Sequence, residues 1–318
     1  MNNFLEFEKP VADLEGKIRE LEGLENATDI EINEDIAKLR QKALHQLEQT
    51  YAKLTPWQKT QVARHVDRPK LNEITTQLIE DYTPLAGDRA FSDDQAIIGG
   101  LGRFRGQSVM VIGTEKGKDT ESRLRHNFGM ARPEGYRKAQ RLMKMADHFG
   151  LPILTFIDTS GAYPGIGAEE RGQAEAIARS IEVCLDVRVP LIASIVGEGG
   201  SGGAVALASA NTVLMFANAV YSVISPEGCA AILWKTRDKA QEAATAMKIT
   251  AQDLLALKVI DRIVDEPIGG AQRDIPAAIN ALGDAVEEEL AKLMKKEPGE
   301  LREDRRRKFL AIGRLEGN

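Results

Sequence analysis

The sequence predicts an α/β fold with parallel strand pairing. Two segments share one plan: an apolar run, a turn crowded with glycine, then a helix-compatible stretch. In the first, residues 151–157 read as a buried strand, Asp158-Thr-Ser-Gly-Ala-Tyr-Pro-Gly165 as the turn and residues 168–185 as the helix. In the second, residues 191–196 read as the strand, and residues 197–203 supply five glycines in seven positions. Residues 204–210 then form a small, apolar helix. The third observation is the spacing. The units follow each other at about 38 residues, and strands alternating with helices pair in parallel. Both glycine turns then lie at the same strand ends, where α/β sheets place their ligands.

From the N-terminus, residues 11–80 read as helical. Leu14, Ile18 and Leu21 form a short apolar stripe, and Ile36, Leu39, Ala43, Leu47, Tyr51 and Leu54 a longer one. A helical hairpin or an arm that grips a partner satisfies this pattern. Residues 64–69 interrupt it, with His65 beside Asp67 read as a surface pair, and residues 71–82 read as a further helix. Residues 96–104 and 107–113 read as a hairpin with Gly106 in its turn. Residues 116–127 read as a solvated loop, although Lys116, Lys118, Arg123 and Arg125 suit a phosphate. A helix follows over residues 132–148. Past the second glycine turn, residues 212–216 and 219–224 read as short strands. Pro226 suits the first turn of a helix. Thr250-Ala-Gln-Asp253 is a capping box that opens another. Residues 259–264 close with a strand, and a helix runs from residue 275. Residues 302–308, five basic and two acidic, read as a solvated end.

The stretch from residue 191 to 210 supports three chemistries. Gly197-Glu-Gly-Gly-Ser-Gly202 fits the dinucleotide fingerprint, but no acidic residue stands at the tip of the next strand. Gly199-Gly-Ser-Gly-Gly203 fits a serine nucleophile elbow. That class needs its histidine downstream, and His45, His65, His126 and His148 all precede Ser201. The third chemistry is an oxyanion site, in which N–H groups at Gly202 and Gly203 hold a developing negative oxygen. A tight turn with close helix–strand packing is the plain structural alternative. Gly199, Gly200, Gly161 and Ala162 are further candidates for site backbone. Asp158 either orients the first turn or simply caps it.

Composition narrows the remaining classes. The chain has 318 residues, room for one large domain with appendages or for two. A net charge of −6 leaves no footprint for general nucleic-acid binding. The two cysteines, Cys184 and Cys229, form no CxxC pair, so neither a zinc ribbon, another metal site nor a disulfide framework is expected here. Both read as buried thiols. No apolar run suits a membrane span, and the acidic N-terminus suits neither a signal nor a transit peptide, so the cytoplasm is expected. Ala246-Met-Lys-Ile249 and Leu142-Met-Lys-Met145 resemble a biotin attachment site. Both fall in helical stretches, whereas attachment needs an exposed hairpin tip.

Five segments together carry a resemblance. They are Asn127-Phe-Gly-Met130, Pro133-Glu-Gly-Tyr-Arg-Lys138, Phe156-Ile-Asp-Thr-Ser-Gly-Ala-Tyr-Pro-Gly165, Gly197-Glu-Gly-Gly-Ser-Gly-Gly-Ala204 and Tyr221-Ser-Val-Ile-Ser-Pro-Glu-Gly-Cys229. The chain resembles the α subunits of bacterial acetyl-CoA carboxylase carboxyltransferase, from near Phe4 to about Gly270. One departure is Ser160, where the family usually has proline. The resemblance implies a crotonase-like spiral of ββα units with an N-terminal helical arm. It implies an arm over residues 1–35, a carboxyltransferase domain over 36–295 and a charged tail over 296–318. Within that domain a helical lead-in would span 36–84 and the crotonase-like core 85–265. The implied reaction transfers the carboxyl group of carboxybiotin to acetyl-CoA, giving malonyl-CoA, the first committed step of fatty acid synthesis. Implied partners are a zinc-bearing β subunit in an α2β2 assembly, a biotin carboxyl carrier protein that brings the biotin, and biotin carboxylase. Two alternatives stay open: a self-sufficient crotonase-type hydratase or decarboxylase using Glu198 or Glu227, and a non-catalytic scaffold.

Overall fold

The computed structural model describes residues 3–23 and 30–314. Two helices, α1 (Lys9–Glu22) and α2 (Ile30–Tyr51), pair at the N-terminal end, so the expected boundary between arm and lead-in at residue 35 falls inside α2. They pack through Ile18, Ile36 and Ala43, with Leu14, Leu21, Ile32 and Leu39 at the edges, so the two apolar stripes face each other. Tyr51 donates to Glu8, and Arg273 pairs with Glu8 and Glu15, which ties the arm to a distant loop.

Two short helices follow, α3 (Pro56–Ala63) and α4 (Leu71–Leu78). Thr55 caps α3 through its hydroxyl, with Gln58 returning the bond. The stretch 71–82 is not a single helix. At Ile79 the backbone turns extended and becomes strand β1 (Ile79–Pro84), paired antiparallel with β2 (Ile97–Phe104). Pairing to a sheet edge overrides a weak local helical pattern there. His65 is not a surface residue either. It is buried, its Nε2 lies 2.6 Å from the Asn3 carbonyl, and its Nδ1 accepts the Asp67 N–H.

β2 turns into β3 (Gln107–Thr114) through Arg105 and Gly106, both at positive φ, the geometry of a two-residue hairpin. Strands β4 (Ile153–Thr159), β5 (Leu191–Gly200) and β6 (Thr212–Phe216) come next. Beyond them lie β7 (Val220–Ser222) and β8 (Arg262–Val264). The sheet order is β1-β2-β3-β4-β5-β6-β8, parallel from β3 onward, and β7 pairs the last residues of β5 off that path. Every residue of β4 and β5 is buried, Asp158 and Glu198 included, as parallel strands covered on both faces are.

The helices cover this sheet. α5 (Thr120–Arg125), α6 (Pro133–Phe149), α7 (Ile166–Glu170), α8 (Gln173–Asp186) and α9 (Ser201–Ala208) alternate with the strands. α5 replaces part of the expected loop at 116–127, with Asp119 capping its start. α7 and α8 replace the single expected helix over 168–185, because Gly172 takes a left-handed conformation between them. After β7 come α10 (Pro226–Trp234), α11 (Ala240–Ala246) and α12 (Ala251–Ala256), the last capped by Thr250. α13 (Ile275–Leu293) and α14 (Pro298–Ala311) are the last helices of the described residues.

α14 is not a solvated end. Arg305 has no exposure at all. It donates to the carbonyls of Cys184, Val187 and Val189 and to Asn211. A guanidinium offers five donors, enough to satisfy carbonyls where strands begin, and charge counting along a sequence does not reveal such a site. Cys184 is buried, but Cys229 is only half-buried. Lys144 lies in α6, whereas Lys248 stands in a turn just past α11, at φ +55°.

Candidate functional site

β4 and β5 run parallel from Ile153 opposite Leu191 to Thr159 opposite Gly199. The turns that follow therefore leave the sheet side by side. Their backbones touch. A Cβ on Gly203 would lie 2.8 Å from the Gly161 carbonyl carbon and 3.0 Å from Ala162 N. A Cβ on Gly200 would lie 2.3 Å from the Ser160 carbonyl carbon. Glycine is needed at both positions because the neighbour is backbone, which cannot swing aside. Ser160 is exposed, and what it brings to this contact is its backbone carbonyl.

Gly200 is the N-cap of α9, and no side chain caps that helix. The first-turn N–H groups of Ser201, Gly202 and Gly203 therefore have no side-chain acceptor, and the positive end of the helix dipole lies at this turn. Gly161 is differently placed. Its N–H donates to the Thr159 hydroxyl at 3.1 Å, and that hydroxyl donates back to the Gly161 carbonyl at 2.8 Å. Gly199 and Gly200 pair with Tyr221 and Ser222 of β7, and Gly199 packs against the Tyr221 ring.

Beside Ser201 and Gly202 opens an apolar groove of about 440 Å³, walled by Ile181, Val205, Tyr221, Val223, Met247 and Leu254. Burial pushes the Tyr221 phenol up to about 12, so it stays neutral. Ser201 takes φ +51°, a sharp strand-to-helix junction. No histidine bonds to it among the described residues: His65 and His126 hold backbone carbonyls and His45 holds Gln49. The nucleophile reading of G-x-S-x-G has no base here.

A charged cluster supports the turns from the other side. Asp158 accepts Lys116 Nζ at 2.7 Å and lies 3.7 Å from Lys70 Nζ. Arg64 forks between Glu198, at 2.7 and 2.9 Å, and Glu227, at 2.5 and 3.3 Å. A second buried pair, Arg68 with Glu266, holds the Val196 carbonyl just before the glycines. Sequence reasoning named Asp158, Glu198 and Glu227 but missed Arg64, Lys70 and Arg68, which lie more than 80 residues upstream of the carboxylates they pair with. Lys116 was read as part of a solvated loop, and it is instead turned inward.

Burial pushes Asp158 and Glu266 up, yet their cations outweigh it. Lys116 and Lys70 hold Asp158 below the ordinary 3.8, and Arg68 holds Glu266 below the ordinary 4.5. Both groups bind protons less readily folded than unfolded. Their stabilisation is complete above those ordinary values and is lost as pH falls through the lower folded ones. Melting temperature should hold near neutrality and fall steeply below about pH 4.5; a flat profile down to pH 3 would contradict the pairing.

Among the described residues no group of His, Cys, Asp and Glu could hold a metal ion, and no helix is long and apolar enough to cross a membrane. A family model described as "Acetyl co-enzyme A carboxylase carboxyltransferase-like" matches residues 4–313. The chain belongs to this family. The match passes well beyond Gly270 and takes in α14, which the sequence motifs alone did not reach. Relatives named "Acetyl-coenzyme A carboxylase carboxyl transferase subunit alpha" include that of Rhizorhabdus wittichii, 64% identical over 98% of this chain and 99% of that protein. Another is that of Paramagnetospirillum magneticum, 62% identical over 98% of each. Among solved structures, a transcarboxylase 12S with hydrolysed methylmalonyl-coenzyme A bound aligns with TM-score 0.55 at 18% identity, over 70% of this chain and 43% of that one. The β subunit of P. aeruginosa geranyl-CoA carboxylase aligns with TM-score 0.53 at 18% identity, over 73% of this chain and 44% of that one. The chain spans less than half the length of these two structures. The likeness shows the fold, an α/β, crotonase-like architecture, to which α1 and α2 add a helical arm.

Proposed function

We propose that this chain is the α subunit of a biotin-dependent acetyl-CoA carboxylase carboxyltransferase, moving a carboxyl group from carboxybiotin to acetyl-CoA to form malonyl-CoA. The observation that carries the reading is the uncapped start of α9, pressed against the β4 turn and opening on an apolar groove. A groove of about 440 Å³ fits a flat bicyclic urea, and the N–H groups beside it suit an oxygen that gains negative charge.

Carboxybiotin, when bound, supplies the carboxyl group and, once that has left, a ureido nitrogen able to take a proton from acetyl-CoA. On this reading no side chain of this chain needs to move a proton. Gly202 and Gly203 N–H hold the ureido oxygen as negative charge builds, with Ala162 N–H as a further donor from the neighbouring turn. Gly161, Gly199 and Gly200 permit the close approach that aims these donors. With the biotin ring in the groove, its apolar walls would keep water from the reacting centre, which strengthens each N–H contact. The enolate of acetyl-CoA needs a second oxyanion site, assigned to the β subunit.

The partners follow from this reading: a zinc-bearing β subunit in an α2β2 assembly, a biotin carboxyl carrier protein and biotin carboxylase, working in the cytoplasm on the first committed step of fatty acid synthesis. The self-sufficient crotonase alternative fits less well. Its candidate acids, Glu198 and Glu227, are both clamped by Arg64, and Arg64 outweighs burial to hold Glu227 below the ordinary carboxylate range. Biotin-dependent decarboxylation of malonyl-CoA should appear only when this chain is mixed with a carboxyltransferase β subunit. Activity from this chain alone would overturn the two-subunit reading.

A further inference from the structure

Five glycines in seven residues give the segment 197–203 little of its own to fix its position. Something outside must hold it, and Asp158 is placed to do so. Asp158 is buried near the end of β4. Its Oδ1 accepts both the Glu198 N–H at 2.9 Å and Lys116 Nζ at 2.7 Å. Its Oδ2 faces Lys70 Nζ. Its own N–H donates to the Thr114 hydroxyl at 2.7 Å, which fixes it to β3. A Cβ on Gly197 would lie 2.4 Å from Oδ1, so glycine there lets the carboxylate reach the strand. Asp158 does not cap the turn that follows it, because Thr159 already does so.

We propose that Asp158 is a positioning residue for the carboxyl transfer, joining the two glycine turns and setting the direction in which Gly202 and Gly203 present their N–H groups. The proposal rests on the start of α9 being the oxyanion site. An ionised acceptor bonds more strongly than a neutral one, and Lys116 and Lys70 keep it ionised. From the Glu198 N–H to Gly202 the chain runs only four residues, three of them Gly199, Gly200 and Ser201. A slip at Glu198 therefore passes to the donors. The loss should fall on kcat, because the donors act on charge that develops during reaction, while KM for malonyl-CoA stays unchanged.

The test uses the full chain assembled with its β subunit. Biotin-dependent malonyl-CoA decarboxylation, melting temperature and assembly are measured for the native complex and for Asp158→Asn, Lys116→Gln, Lys116→Arg and Gly203→Val. Asp158→Asn should lower kcat by about 10²-fold, the size expected for misplacement by about 1 Å, with KM and assembly unchanged. Lys116→Gln should lower kcat in the same direction, and Lys116→Arg should restore it. If Asp158→Asn does not assemble, the Lys116 pair decides, since that side chain is partly exposed and Lys70 still faces Asp158 after its loss. Gly203→Val inactive with Asp158→Asn or Lys116→Gln at native kcat would overturn the positioning role alone. Gly203→Val at native kcat would overturn the oxyanion site and the proposal with it.

Discussion

Gly203→Val should lower the kcat of the assembled carboxyltransferase by about 10²–10³-fold, the range for losing one preorganised donor. The reason lies in the neighbours. The new side chain meets the Gly161 carbonyl carbon at 2.8 Å and Ala162 N at 3.0 Å, both backbone. The turns must separate, and with them the N–H groups of the α9 start and of Ala162. Overpacking of this kind costs about 1–3 kcal/mol of stability, so the variant should still fold, which circular dichroism and assembly with the β subunit can verify. Gly203→Ala, with one carbon, should be milder in the same direction. A valine variant with native kcat would place the chemistry elsewhere.

The largest effect on stability should come from Arg68→Met. Arg68 and Glu266 are both buried, and their charges are almost wholly shut from water. Arg68 donates twice to the Val196 carbonyl, at 2.8 and 3.0 Å, and twice to Glu266, at 2.9 and 3.0 Å. Glu266 also accepts the N–H groups of Asn218 and Ala271. Methionine fills the volume but leaves a buried carboxylate without its cation, which destabilises by about 3–5 kcal/mol. Chemical denaturation measures it. Arg68→Met combined with Glu266→Leu should recover part of the loss, since no lone charge remains. A single-variant loss under about 1 kcal/mol, the range of exposed pairs, would contradict the burial.

Much of this arrangement is legible in the sequence because it is local. The hairpin at Gly106, the buried runs of β4 and β5, the α9 glycines and the Thr250 cap each depend on residues a few positions apart. The elements that sequence misjudges depend on distant partners. Ile79 turns from helix to strand because β2 offers an edge to pair with. His65 is buried because Asn3 returns to it, and Arg305 because carbonyls of three residues near 184–189 await its donors. The same holds at the site. The glycines of the proposed oxyanion site stand in one motif, whereas the cations that hold the supporting carboxylates lie 40 or more residues from them. A periodicity or a motif does not register charges brought together by the fold.

The most direct measurement follows a labelled carboxyl group. Malonyl-CoA labelled in its free carboxyl is mixed with this chain, a carboxyltransferase β subunit and the biotinylated carrier protein. Label should appear on the carrier's biotin as acetyl-CoA forms, and neither subunit alone should move it. Release of label as carbon dioxide at the same rate without biotin, or transfer to no acceptor by a fully assembled complex, would contradict carboxyl transfer as the function of this chain.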